Sequence, residues 1–321
     1  MKILIAGAAG FIGSNLSTKL LKDGHQVWAV DDFSTGKPEN IDNLRQDKNF
    51  IFANCGIETE DFLKFCFDQG VKFDQIFHLA CPTGVPNIEI LGEEILEACS
   101  NGTKNILHVA REHDARFLFT SSSEIYGESE VPVQREDYTG NVDPIGWRAN
   151  YEEGKRFSET LVMHSVRKYK LKATIVRLFN IYGPKMSLDD FRVVPVFLMQ
   201  ALTGESITVH GEGSQMRTMC FVDDLIKGLC LVMEKGNVGE AYNLGSDKAI
   251  SMLDLAKEII QSTKSESKII FTPRATHDHN SRMPVLDKVR ALGWDCNTDL
   301  QTGLKITTDD FRRRLATYHI K

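Results

Sequence analysis

Long hydrophobic runs are missing from this 321-residue chain. No apolar segment approaches the ~18 residues of a membrane helix. The N-terminus runs at once into a patterned strand and a glycine turn, without the layout of a cleavable leader. An excess of positive charge is also lacking. The net charge of -6 argues against nonspecific binding to nucleic acid or anionic membranes, leaving only local basic sites for phosphates. The seven cysteines are an odd number with no CxxC spacing, so neither a disulfide framework nor a zinc knuckle is indicated. Most sit in apolar runs, as small buried hydrophobes do. Internal repeats and low-complexity stretches are absent too. What remains is a soluble globular composition, 42% hydrophobic and 26% charged, long enough for about two domains, with a reducing cytoplasm as the expected compartment.

The first ordered signal is Lys2-Ile3-Leu4-Ile5-Ala6, a short apolar run typical of a strand buried on both faces. It feeds Gly7-Ala8-Ala9-Gly10-Phe11-Ile12-Gly13, and Leu16, Leu20 and Leu21 then carry a helical period. Strand, glycine turn and helix form the context of a phosphate-binding fingerprint, here spaced GxxGxxG. Glycines let the backbone approach a pyrophosphate, whose charge sits at the helix N-terminus. A second strand, Gln26 to Val30, ends in Asp31-Asp32. An acid there suits a ribose 2′-hydroxyl and repels a 2′-phosphate, which favours NAD over NADP.

Alternation continues through strands at 50–53, 74–80, 117–120 and 173–178, with helices predicted at 61–69, about 89–113 and 150–169. Phe62, Phe65 and Cys66 should face inward on the first, and Phe157, Leu161 and Val162 should share a face of the last. Such alternation means an α/β fold with a Rossmann-type, doubly wound parallel sheet, its ligands at the carboxyl ends of the strands. Past Leu178 the texture becomes mixed, with helices predicted at 192–202, 223–234, 252–262 and ending at 309–315, and short strands at 207–210 and 241–244. The expected division is a dinucleotide-binding domain over 1–178, with 213–243 returning to it. A smaller mixed α/β lobe over 179–212 and 244–321 would leave a substrate cleft between.

Two stretches carry chemistry. Thr120-Ser121-Ser122-Ser123-Glu124 lies at the end of strand five, where hydroxyls would meet a nicotinamide and its substrate; a Ser-rich turn that caps the next segment would look the same. Tyr151-Glu152-Glu153-Gly154-Lys155 places a tyrosine and a lysine one helical turn apart on one face. A lysine there lowers a phenol's pKa and makes it a useful base, although an isolated Tyr-x-x-x-Lys also occurs in ordinary solvated helices. Serine at a strand end and Tyr-x-x-x-Lys on the next helix together form a constellation. His277 and His279 show metal-ligand spacing, but no third cluster accompanies them, and a polar loop is the simpler reading; no metal is expected. His78 reads as a strand histidine.

These residues resemble the extended short-chain dehydrogenase/reductase superfamily, with its NAD-dependent nucleotide-sugar epimerases and dehydratases, over essentially the whole chain. The nearest resemblance is to the UDP-glucuronate decarboxylases. Asn141-Val142-Asp143-Pro144-Ile145-Gly146 leading into Tyr151–Arg156 carries it, with Gly183-Pro184-Lys185-Met186, Arg192-Val193-Val194, Thr208 to Arg217 and Asp309-Asp310-Phe311-Arg312. The resemblance implies Tyr151, Lys155, Ser122, Ser123, Glu124 and Arg192 as the catalytic set. It implies NAD binding by Gly7, Gly10, Phe11, Ile12, Gly13, Asp31, Asp32, Leu79, Ala80, Tyr151 and Lys155. A nucleotide sugar, expected to be UDP-linked, would be held by Pro82, Glu124, Asn180, Arg192, His210, Arg217 and Arg282; the two last also read as surface arginines. A homodimer built on the Tyr-x-x-x-Lys helix is implied as well. Ser123 argues against a 4,6-dehydratase, whose family carries Asp-Glu there, and Glu124 against a 4-epimerase. Those two activities, an apiose/xylose-type synthase, and a non-catalytic relative that binds NAD or a nucleotide sugar stay as alternatives. The chain departs from the family pattern at Asn54-Cys55, Thr83 to Asn87 and Glu97-Ala98-Cys99.

Overall fold

A computed structural model describes residues 1–68, 70–273 and 282–317. The Thr276–Asn280 segment with its two histidines lies outside the described residues. The first half alternates in order: β1 (Lys2–Ala6), α1 (Phe11–Lys22), β2 (Gln26–Asp31), β3 (Phe50–Asn54), α2 (Glu60–Phe67) and β4 (Gln75–His78). Then come α3 (Val85–Ile90), α4 (Gly92–Glu97), a π-turn (Ala98–Gly102), α5 (Thr103–Glu112), β5 (Arg116–Ser122), α6 (Ala149–Tyr169) and β6 (Ala173–Leu178). The remainder holds β7 (Ile181–Tyr182), α7 (Val193–Thr203), β8 (Ile207–His210), β9 (Met216–Thr218), β10 (Cys220–Phe221) and α8 (Val222–Lys235). It closes with β11 (Ala241–Leu244), β12 (Ala249–Ser251), α9 (Met252–Thr263), β13 (Ile269–Thr272), α10 (Asp287–Arg290) and α11 (Leu300–Leu315).

Seven strands form one sheet in the order β11-β6-β5-β4-β1-β2-β3, every pair parallel. A parallel sheet needs apolar cover on both faces, and the strand residues alternate accordingly. Ile3, Ile5, Val27 and Ala29 join the core layer on one face, and Leu4, Ala6, Trp28 and Val30 the layer on the other. Strand order reverses between β1 and β4, which opens a crevice at their carboxyl ends. The strand at 241–244 is the seventh member of this sheet, paired to β6. Three small two-stranded pairings, β7 with β10, β9 with β12 and β8 with β13, lie beyond it.

Two expectations are corrected. The helix predicted from 89 to 113 is not continuous. Leu91 leaves helical geometry, and the side-chain amide of Asn150 binds the Ile88 carbonyl and packs where a Cβ on Gly92 would project. At Ala98–Gly102 the spiral widens into the π-turn, whose Ala98 carbonyl accepts from Thr103 Oγ1 at 3.1 Å. On α6, Val162 is buried but Phe157 is 46% exposed. Five residues of helix leave the two about 140° apart, so they do not share a face. Phe62 and Cys66 are buried on α2 as expected.

Candidate active site

The crevice at the switch point widens into a cleft of about 1000 Å³. Every residue assigned to the site from sequence lies on its wall, from Gly7 to Arg282. The glycine turn occupies one end. Gly7 has φ +83°, and a Cβ there would stand 2.8 Å from the backbone of Leu79 and Ala80. A Cβ at Gly13 would stand 2.0 Å from the Gly7 carbonyl oxygen. Only glycine lets α1 start so close under β1 and β4. No side chain caps α1, which leaves its first amides for an anion. Asp31, at the tip of β2, accepts hydrogen bonds from the Ala9 and Phe33 amides, both at 2.9 Å. Burial holds its carboxyl above the usual range despite those amides. Exposed Asp32 takes the Ser34 amide at 2.9 Å. A cradle without Cβ atoms, open helix amides and two acids at the ribose position fit a dinucleotide with a free 2′-hydroxyl.

Tyr151 and Lys155 stand on the first turns of α6, against the end of β5. Lys155 is 3% exposed; its Nζ donates to the Thr120 carbonyl at 3.1 Å and lies 5.9 Å from the Tyr151 ring centre. Burial opposes its charge, but Cys81, Tyr151, Cys99 and Glu159 outweigh this and raise its pKa. Burial pushes the Tyr151 phenol up to about 12, while Lys155 and a hydrogen bond with Ser122 pull the other way. The free protein therefore carries a protonated phenol, and the lysine does not by itself produce a phenolate at neutral pH. Ser122 also caps the short turn after β5, accepting from the Glu124 amide at 3.2 Å. The capping and the active-site readings of this serine thus hold together.

Glu124 is the centre of a charged cluster. Its two carboxylate oxygens take the guanidinium groups of Arg148 and Arg282, and Arg148 continues to Glu152 at 3.2 Å. Arg282 is 6% exposed, which removes the surface reading, and its Nε and Nη2 find no hydrogen-bond partner among the described residues. Arg148 escaped the sequence reading. Its i,i+4 spacing to Glu152 was available as a signal, whereas its contact with Glu124 across 24 residues was not. Arg192 is on the wall but not on Glu124. Its guanidinium pairs with Asp190 at 2.9 Å and lies 5.9 Å from the Phe11 ring centre. Around the far end, exposed His210 bonds Thr272 at 2.9 Å, Arg217 bonds the Met216 carbonyl at 2.9 Å, and exposed Asn180 bonds through its carbonyl to the Cys220 amide at 3.0 Å. Buried His78 meets Thr103 at 3.1 Å, and burial keeps it neutral, a core histidine. Glu97, one of the departures from the family pattern, lies on the wall and binds Asn101 at 2.8 Å.

One end of the cleft thus suits a dinucleotide, and the space past Tyr151 suits a second, anionic ligand. A sequence model of the NAD dependent epimerase/dehydratase family matches residues 3–245, and the chain belongs to that family. It is an NAD-dependent enzyme of the α/β, Rossmann-type architecture. Among curated relatives, the chain is 39% identical to UDP-glucuronic acid decarboxylase 1 of Danio rerio, over 98% of this chain and 73% of that one. It is equally identical to UDP-glucuronic acid decarboxylase 4 of Arabidopsis thaliana, over 98% and 69%. Among solved structures, UDP-glucose 4-epimerase of Thermotoga maritima with UDP-glucose is similar at a TM-score of 0.89 and 29% identity, covering 98% of this chain and all of that one. UDP-glucuronic acid 4-epimerase of Bacillus cereus, in complex with UDP-glucuronic acid and NAD, is similar at 0.86 and 26%, with 98% and 100% covered.

Proposed function

We propose that the chain decarboxylates a UDP-linked uronic acid, UDP-glucuronate to UDP-xylose in type, through a 4-keto sugar with Tyr151 as the base. The observation that carries this reading is Tyr151 set between Lys155 and the Glu124 cluster, in a chain 39% identical to decarboxylases over 98% of its length. Bound NAD supplies the hydride acceptor at C4 and returns the hydride, so the reaction has no net redox change. Tyr151, protonated in the free protein, takes the proton of the sugar O4 from its phenolate form, which Lys155 and the positive charge of bound NAD would favour together, with Ser122 sharing the proton. The ketone at C4 is β to the carboxylate on C5. CO2 can then leave with its electrons delocalised into the carbonyl, and the enol is protonated at C5. Ser123 and Glu124 orient the sugar. Glu124 in turn holds the guanidinium of Arg282, whose Nε and Nη2 have no partner among the described residues and suit an anionic group of the substrate. Arg192 assists at the carboxylate, and Arg217, His210, Asn180 and Pro82 hold the remainder of the nucleotide sugar.

In this reading 1–178 with 213–243 form the NAD-binding domain and 179–212 with 244–321 the smaller sugar-nucleotide lobe, with Pro82, Glu124 and Arg217 reaching the sugar from the former. A homodimer belongs to it too: Ile90, Leu96 and Phe157 on α3, α4 and α6 are 72%, 48% and 46% exposed. So does the cytoplasm. All seven cysteines are free, and among the described residues no helix is long and apolar enough to cross a membrane. Incubation with UDP-glucuronate and NAD should release CO2 and yield a product lighter by that amount. A product lighter by water marks a dehydratase, and one of equal mass an epimerase; no CO2 from any UDP-uronate overturns the proposal. Tyr151→Phe should abolish turnover, by about a thousandfold or more, while NAD binding by calorimetry persists. Turnover unchanged by that substitution would remove Tyr151 from the mechanism.

A further inference from the structure

Two cysteines approach each other directly behind the catalytic lysine. Cys81 follows β4 on the cleft wall, and Cys99 is buried in the π-turn, outside that wall. Their sulfurs are 3.8 Å apart. The π-turn sets this distance. Its widened spiral brings Cys99 toward α6, where Ser158 Oγ donates to the Cys99 carbonyl at 2.8 Å. A Cβ on Gly154 would stand 3.2 Å from the Cys99 sulfur, so that sulfur packs against α6 at Gly154. A π-turn is an uncommon device and recurs at functional sites. In this one, a cysteine is aimed at a second cysteine.

We propose that Cys81 and Cys99 form a redox-sensitive dithiol that closes to a disulfide under hydroperoxide and arrests catalysis. The regulatory half rests on the activity proposed above; the disulfide itself does not. Three features favour the chemistry. The sulfurs are in hydrogen-bond contact and need to close only from 3.8 Å to the roughly 2 Å of a bond. Cys81 lies where a small peroxide entering the cleft can reach it. The hydrogen bond between them holds the Cys99 thiol on the acidic side of its ordinary range, with Lys155 and Ser158 assisting, and holds Cys81 above it, with burial assisting, so the pair shares a proton and Cys81 sheds its own only as it reacts.

The step balances as follows. The Cys81 sulfur attacks hydrogen peroxide; an S–O bond forms, the O–O bond breaks, and water leaves with the thiol proton, giving a sulfenic acid. Cys99 then attacks the Cys81 sulfur; the S–S bond forms, the S–O bond breaks, and hydroxide leaves as water with the proton of Cys99. Two thiols lose two electrons in all, and one peroxide becomes two waters. Closure draws Cys81 off the wall and takes with it the turn whose Leu79–Ala80 backbone abuts Gly7.

The test treats the purified full chain, with NAD bound, with hydrogen peroxide and then blocks free thiols with iodoacetamide. Peptide mass spectrometry should find Cys81 linked to Cys99. CO2 release from UDP-glucuronate should fall by about tenfold or more through kcat, with KM little changed, and return with dithiothreitol. Cys99→Ala should keep the untreated activity and lose the sensitivity; Cys99→Ser serves equally should the alanine variant melt early. The proposal is overturned if no Cys81–Cys99 peptide forms, if it forms without loss of activity, or if the Cys99 variants are inactivated like the wild type. A chain that forms the linked peptide but never releases CO2, even when reduced, refutes the proposed activity and leaves the dithiol standing.

Discussion

Replacing Lys155 by methionine separates electrostatics from shape at this site. Methionine matches the stem of the lysine and removes only the ammonium. That ammonium lies 5.9 Å from the Tyr151 ring. At an effective dielectric of 20, a unit charge at this separation stabilises a phenolate by about 3 kcal/mol. Removing it should therefore raise the phenol's pKa by about two pH units. The phenol already stands at about 12 in the free protein, where burial outweighs the lysine. The active fraction at neutral pH should fall about a hundredfold, because well below its pKa the phenolate population drops tenfold per pH unit. The sign is testable. Activity rises with pH as the phenol ionises, so in Lys155→Met the rising kcat profile should be displaced upward by about two pH units, the variant at about pH 9 matching the wild type at about pH 7. CO2 release measured from pH 6 to 10 in both proteins gives the comparison. An acid limb that stays in place, with activity within about threefold of the wild type at neutral pH, would show that Lys155 does not set the ionisation of Tyr151.

Glu124→Gln should leave Arg148 and Arg282 facing a neutral amide. The loss of a shared partner for two largely buried guanidinium groups should cost about 3 kcal/mol, visible as a lower urea midpoint, and turnover should fall at least about a hundredfold. Retained stability would mean that the two arginines find other anions. Gly7→Ala forces a Cβ into backbone at a φ of +83°, and NAD affinity by calorimetry should weaken at least about tenfold. Unchanged affinity would detach the glycine turn from the cofactor.

The strands, the glycine turn and the acids after β2 were legible because they depend on local rules. A run such as Lys2–Ala6 can be satisfied only with apolar cover on two sides, and Gly7 is needed wherever the chain turns back so tightly. Tyr151 and Lys155 were legible for the same reason, since helix spacing alone sets them on one face. The break in the long helix after β4 was not. It depends on Asn150, some 60 residues away in sequence, occupying the space at Ile88 and Gly92. Phe157 was misplaced against the helical period itself, which sets it about 140° from Val162.

Sequence by itself therefore determined the sheet, the glycine turn and the pairing of Tyr151 with Lys155 on one helix face, because each follows from bonds and contacts a few residues apart, whereas residues such as Arg192, Arg217 and Arg282 were implied only by the family resemblance. Only the tertiary structure decided how those residues are joined. It gave Glu124 to Arg148 and Arg282 and set Cys81 beside Cys99. Charge pairs and sulfur contacts across tens of residues depend on how helices pack on the sheet, and no local pattern encodes that distance.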